Sequence, residues 1–266
     1  MTDALDRIAA ALERLAPPPA PDADLNAHPA YLWDGRALTA ARGFAPLPLD
    51  TLTGVDQQKT ALVGNLQRLA AGNAAHDVLL WGARGTGKSA LVAAAASAAR
   101  VALVDVATHT LDSLPHLFAR LGTTARPFAV FVDDLGFSSP DEARTLRSLL
   151  EGGAEARPAT VRLLVTSNRR HLVARDLAEQ DSAINPRDVV DDALALADRF
   201  GLSLGFHAID QDTYVAIVAG YAQAYGLNFD AQDAINWATR RGSRSGRVAW
   251  QYVVELAGRE GRTLPR

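Results

Sequence analysis

The sequence predicts an α/β fold: a parallel five-stranded sheet flanked by helices, followed by a small all-helical lid domain. Three observations carry this. Apolar strand-like runs recur at residues 78–81, 101–106, 128–135, 161–167 and 202–206. Helix-patterned segments separate them, and strands alternating with helices imply a parallel sheet covered on both faces. After Asp210 only helical periodicity remains. The expected division is residues 1–24 as an N-terminal helix and Pro-rich linker, 25–207 as the α/β domain and 208–266 as the lid.

Taken in order, residues 2–16 form an amphipathic helix, with Thr2 as cap and Leu5, Ile8, Leu12 and Leu15 at helical spacing. One helix cannot make a domain, so it packs on the body or on a partner. The run PPPAPDAD at 17–24 is a semi-rigid extended linker. Residues 30–48 carry Tyr31, Leu32 and Trp33 in an otherwise irregular stretch, and the aromatics are expected to fill a groove on the body. Residues 50–69 are a turn at Gly54 and then a helix with Leu62, Leu66 and Leu69 on one face. Helices are also expected at 141–151 and 191–200. In the lid, Tyr214, Ile217, Val218 and Tyr221 share one helix face, and Val248, Tyr252, Val253 and Leu256 another.

Composition removes several classes of function. A chain of 266 residues has ample length to bury a core. Its net charge of −3 gives no global field for nucleic acid or anionic membrane. Cysteine is absent, which excludes disulfides, thiolate metal sites and thiol catalysis. No run of about 18 apolar residues is long enough to span a membrane, and the N-terminus, with Asp3 and Asp6, does not resemble a secretory signal. A cytoplasmic protein is the expectation. The Ala/Arg-rich, Lys-poor usage looks like that of a GC-rich bacterial genome.

The chemistry concentrates at VLLWGARGTGKSALV, residues 78–92. Gly82, Gly87, Lys88 and Ser89 fit G-x-x-x-x-G-K-[ST], a phosphate-binding loop between a buried strand and a helix. The stretch Gly82, Ala83, Arg84, Gly85, Thr86, Gly87, Lys88, Ser89 and Ala90 lays consecutive backbone N–H groups against an anionic phosphate chain, and glycines permit the close approach and positive φ this needs. The helix that follows points its positive end at the same phosphates. Lys88 reaches the β- and γ-phosphates of ATP, and the Ser89 hydroxyl ligates Mg²⁺. Lys59 and Lys88 are the two lysines among 27 Lys and Arg residues. An arginine-biased chain that keeps a lysine here points to a need for the compact ammonium.

Val130, Phe131 and Val132 deliver Asp133 and Asp134 at the carboxyl end of a strand, the edge where open α/β sheets bind ligands. Asp133 is placed to hold Mg²⁺ through water and Asp134 to orient and deprotonate an attacking water. Asn168, closing VRLLVTS, can position that water from the γ-phosphate side.

A phosphate loop, an acidic strand end and a strand-terminal Asn, in that order, look like an AAA+ ATPase. The segments LTGVDQQK, LLWGARGTGKS, FVDDLGF, TSNRRHL, DRFGLSLGF and GSRSGRVA resemble a bacterial AAA+ family known as DUF815, over about residues 25 to 260. The resemblance implies that the turn ending at Val55 lies beside the adenine, and that Arg199 is an arginine finger projecting toward the γ-phosphate of a neighbouring subunit. It implies that Arg247, or Arg244 one turn earlier, is the lid arginine closing on the phosphates. Arg169, Arg170 and His171 belong to a subunit interface or to a solvated basic turn. His171 has no second ligand at metal spacing.

One departure matters. Most AAA+ strands end Asp-Glu, whereas this one ends Asp-Asp, setting the second carboxylate back by about 1.5 Å. A misplacement near 1 Å can cost about 10²-fold, so hydrolysis is expected to be slow or to wait for a partner that tightens the site. The leading expectation is an oligomeric ATPase, in a ring or helical assembly, that remodels or loads an unidentified macromolecular client. A nucleotide-gated binding module is the alternative. A DNA-associated loader, using Arg240, Arg241, Arg244 and Arg247, is the second. No membrane partner is expected.

Overall fold

The computed structural model describes residues 23–135, 146–150, 157–168 and 198–264, together with Ala4, Asp6 and Arg7. The predicted N-terminal helix and linker thus fall almost wholly outside the described residues. So does most of the helix expected at 141–151, of which 146–150 are helical, and most of that at 191–200, of which Asp198 and Arg199 lie in a turn.

Among the described residues, seven strands form one sheet: β1 (Ala30–Trp33), β2 (Leu38–Ala40), β3 (Val78–Gly82), β4 (Ala102–Val106), β5 (Phe128–Val132), β6 (Val161–Ser167) and β7 (Leu202–Phe206). Their order is β2-β1-β4-β5-β6-β3-β7. Only the β1–β2 pair is antiparallel. The five strands expected from sequence are all present and parallel. The expectation of five in total is corrected to seven, because residues 30–40 are not irregular but add a hairpin beside β4.

The hairpin escaped detection for a physical reason. β1 has four residues, too few to display a period, and its Tyr31 and Trp33 are buried while Leu32 on the opposite face is exposed. Distant groups hold it in place. The Trp33 indole donates to Ser113 Oγ at 2.8 Å. The Arg126 guanidinium donates to Tyr31 Oη at 3.0 Å and to the His28 carbonyl at 2.6 Å.

Helices α1 (Asp56–Ala70) and α2 (Lys88–Ala99) cover one sheet face, joining Leu62, Leu66, Leu91 and Val92 to Leu80, Phe131 and Leu164. Helix α3 (Leu114–Leu121) covers the other, packing Leu117, Phe118 and Leu121 against Val104, Val130 and Val165. Strands buried on both faces read as continuous apolar runs, which is why β5 is FAVFV with every residue buried.

Three helices follow: α4 (Gln211–Tyr225), α5 (Ala231–Arg240) and α6 (Gly246–Arg259). Each begins with a side-chain cap, the first defence against unsatisfied N–H groups. Asp210, Asp230 and Ser245 accept from the amides of Thr213, Asp233 and Val248 at 2.8, 2.7 and 3.2 Å. The two faces expected from periodicity meet in their own core around Tyr214, Val218, Tyr252 and Val253, with Leu256 partly buried beside them. No helix among the described residues is long and apolar enough to cross a membrane.

Candidate nucleotide site

Strand order builds the site. β6 lies between β3 and β5, so the residue ending β6 must fall between the loop after β3 and the acids after β5. Asn168 accordingly touches both sides: its Oδ1 accepts from Lys88 Nζ at 3.4 Å, and its Nδ2 donates to Asp134 Oδ1.

The loop after β3 has its shape set by neighbours. Gly82 has φ +129°, and a Cβ there would lie 1.9 Å from the Phe206 carbonyl oxygen. The close approach of β7 therefore demands this glycine. Gly85 and Gly87 also have positive φ, +75° and +94°. The Ala83 amide donates to the Phe206 carbonyl at 3.2 Å, and Leu91 donates to Gly87 O at 2.8 Å as α2 begins. Between these two bonds, the amides of residues 84–90 meet no acceptor among the described residues. A row of unsatisfied N–H groups at a helix N-terminus suits an anion.

Lys88 is buried, with 7% of its surface exposed. Its ammonium donates to the Gly82 and Ala83 carbonyls, both at 2.8 Å. Among the described residues no carboxylate contacts it. Burial, helped by Arg84, holds its pKa below the usual lysine value against the opposing pull of Asp134 and Asp133. This is a cation held ready beside a nest of amides.

The acids sit opposite. Ser89 Oγ donates to Asp133 Oδ1 at 2.7 Å. Thr166 Oγ1 donates to the same oxygen at 2.5 Å and accepts the Asp134 amide at 2.7 Å. Asp134 adopts φ +51°, a left-handed conformation that short polar residues tolerate best. Its second carboxylate oxygen lies 3.7 Å from an Arg84 guanidinium nitrogen, both side chains being exposed. Nearby Asp105 on β4 has its carboxyl pushed up by burial and by the Asp133 charge.

A cleft of about 470 Å³ opens over this edge. Of the sequence-derived residues, Val55, Arg84 through Ala90, Asp133, Asp134, Asn168 and Arg247 line it. Gly82 and Ala83 stand behind the wall, where their carbonyls hold Lys88. Arg199 lies elsewhere. It lines a second cavity with Asp77, Arg157 and Arg162 at the opposite ends of β3 and β6. Arg244 does not line the cleft, and its guanidinium lies 3.4 Å from Gln211 Oε1. Arg241 sits 4.3 Å over the Trp237 ring and bonds Gln251. Arg169, Arg170 and His171 lie outside the described residues.

Sequence reasoning missed Thr166, which joins the two acids, and the lid's share of the cleft: Ile217, Tyr221, Gly246 and Trp250. Tyr221 was expected as core. It is core and wall at once, its ring 5.4 Å from that of Trp250, which Tyr225 supports from 5.5 Å. No periodicity marks a side chain with both duties. Among the described residues no group of three His, Cys, Asp or Glu could hold a metal by itself. One hydroxyl and one carboxylate beside a phosphate site is nevertheless the donor set Mg²⁺ uses, since it keeps waters and takes phosphate oxygens.

The fold is shared with solved structures at low identity. The chain is similar to the RuvB Holliday junction branch migration motor of Thermotoga maritima, with TM-score 0.57 and 18% identity over 82% of this chain and 68% of that one. For a mutant of the same RuvB the values are 0.56 and 20%, covering 77% and 62%. For the ORC2 protein of Aeropyrum pernix, solved as ADPNP-ADP complexes, they are 0.54 and 16%, covering 84% and 67%. The chain thus spans about two thirds of these proteins' lengths, and the likeness is one of fold, the AAA+ P-loop fold. No curated protein matches it. A family described as "Protein of unknown function (DUF815)" matches residues 26–260, and to that family, on an AAA+ P-loop fold, the chain belongs.

Proposed function

We propose that this protein is an ATPase that binds Mg·ATP between an α/β core (25–207) and a helical lid (208–266). The observation that carries the reading is the convergence of Lys88, Ser89–Asp133 and Asp134–Asn168 on one strand edge, facing a loop of unsatisfied amides. The amides and Lys88 bind the triphosphate. Val55 and the wall of Ile217, Tyr221 and Trp250 offer the base an apolar seat, and Arg247 reaches the phosphates from the lid. Ser89 and Asp133 would hold Mg²⁺, whose charge neutralises the phosphate oxygens. Asp134 accepts the proton of an attacking water that Asn168 helps to place.

Arg199 is proposed to act on the site of a second copy, which agrees with its distance from this chain's own cleft. The active form is then a homo-oligomer, and its motion acts on a macromolecular client. Calorimetric titration with Mg·ATP, together with phosphate-release kinetics, tests the reading. Tight binding lost in Lys88→Ala supports it, and no binding by the intact chain refutes it.

A second reading has one observation in its favour. Asp134 is short and is held by Asn168 and Arg84 rather than presented freely. A nucleotide-gated binding module would look like this, with ATP ordering the interface and hydrolysis only resetting it. Steady-state turnover that stays near zero in assembled protein favours the module over the motor.

A further inference from the structure

The lid does not merely face the phosphate loop; it is bonded to it. The amide of Gly246, first residue of α6, donates to the Gly85 carbonyl at 2.9 Å. Ser245, buried at the helix cap, packs so close that a Cβ on Gly85 would lie 2.9 Å from its Cβ and Oγ. Gly85 therefore needs to be glycine twice over, for its φ of +75° and for the approach of Ser245.

The other anchors of the loop come from the core. Gly82 O and Ala83 O accept from Lys88, Ala83 O also accepts from Thr86 Oγ1 at 2.8 Å, and Gly87 O starts α2. Gly85 stands between these anchors, and its carbonyl is bonded only to the lid among the described residues. A loop whose amides converge on one point carries mutually repelling N–H dipoles, and glycine, free to leave a positive φ, holds that shape only when its surroundings fix it. At Gly85 the surroundings are α6.

We infer that Gly246 is a positioning residue: its amide pins the Gly85 carbonyl so that the phosphate loop keeps its anion-binding shape only while the lid is seated. The inference rests on the proposed nucleotide site and adds its regulation. A client that lifts the lid loosens the triphosphate at the same stroke. By reciprocity, phosphate binding holds the lid down with the same coupling factor.

The test uses the position of Gly246. The first helical residue accepts proline well, so Gly246→Pro leaves a legal helix start, removes the amide donor and sets the ring Cδ against the Gly85 carbonyl, unseating the lid from the loop. Gly246→Ala keeps the donor, its Cβ meeting Gly85 O at an acceptable 3.4 Å. Ser245→Ala removes the cap and keeps the Gly246 amide. Two readouts are taken on the full chain: affinity for Mg·ATP and for inorganic tripolyphosphate, and the NMR order parameters of the backbone amides of residues 83–90 without nucleotide.

For Gly246→Pro the expected result is a loss of at least about fivefold in affinity for both ligands, the scale of one hydrogen bond as the lower bound, with lower order parameters across the loop. Gly246→Ala should restore both, and Ser245→Ala should lower thermal stability with little change in the order parameters at 83–90. Equal affinities and equal order parameters in Gly246→Pro and the unmodified chain overturn the inference. If the unmodified chain binds neither ligand, the nucleotide reading fails instead, and the order-parameter comparison still decides whether the lid shapes the loop.

Discussion

Lys88 illustrates how one residue is tuned by what does not touch it. The cost of burying an ammonium is met by three hydrogen bonds to neutral oxygens, so its charge stays available for a ligand. Lys88→Ala should weaken Mg·ATP by at least about 10²-fold, losing charge-assisted hydrogen bonds in a desolvated site. The check is thermal. ATP at about 100 times Kd stabilises the folded state by about 2.7 kcal/mol, and this ATP-dependent rise in Tm should vanish in the variant. For Asp134 the expectation differs: Asp134→Asn should keep ATP binding and cut turnover about 10²-fold or more, the range of a lost general base. Undiminished phosphate release from that variant would remove Asp134 from its assigned role.

Among the elements, the lid carries a pH dependence of its own. Burial pushes the Tyr214 and Tyr252 hydroxyls up to about 12 from 10.0, with Asp233 adding to the effect at Tyr252. Their folded pKa values exceed the unfolded ones, so this contribution to stability is full below pH 10 and is lost as pH rises through 12. The helices α4 to α6 should melt more easily across that window, and Tyr214→Phe should flatten the slope, followed by tyrosinate absorbance and circular dichroism. At the far end of the sheet, Asp77 joins two strands: it bonds both Arg157 nitrogens, at 2.8 and 2.6 Å, and the Leu163 amide at 2.8 Å. Removing one partner of this partly buried pair leaves the other without its charge-assisted bonds, so Asp77→Ala should cost about 1.5–3 kcal/mol in denaturant unfolding. The double variant with Arg157→Ala should cost less than the two single losses combined.

At the scale of the whole molecule the question is whether one chain completes a site. Arg199 lines the second cavity with Arg157 and Arg162 and is not among the residues lining the cleft of its own chain. If it serves a neighbour, Arg199→Ala should still bind ATP yet lose about 10³-fold or more in turnover of the assembled form. Mixing decides the matter. Lys88→Ala supplies the arginine but binds no nucleotide, and Arg199→Ala does the reverse, so a mixture should recover activity that neither shows alone. No recovery in assembled mixtures would place Arg199 in a structural role.

Local signals determined the candidate site. The glycine loop with its lysine, and separately the acidic strand end, are each short contiguous runs whose backbone demands are met within a few residues, so they could be read without a fold. Four of the five parallel strands were legible because burial within the sheet leaves nearly continuous apolar runs, and the edge strand β7 showed instead by alternation in LSLGF. What tertiary structure alone decided are the contacts made across long loops. The β1–β2 hairpin depends on Arg126 and Ser113, Thr166 links the two acids only because β6 lies between β3 and β5, and Gly85 meets Ser245 and Gly246 from a helix some 160 residues away. These pairings leave no period or composition behind, since their energy lies in the closeness of the partners and not in the character of either segment.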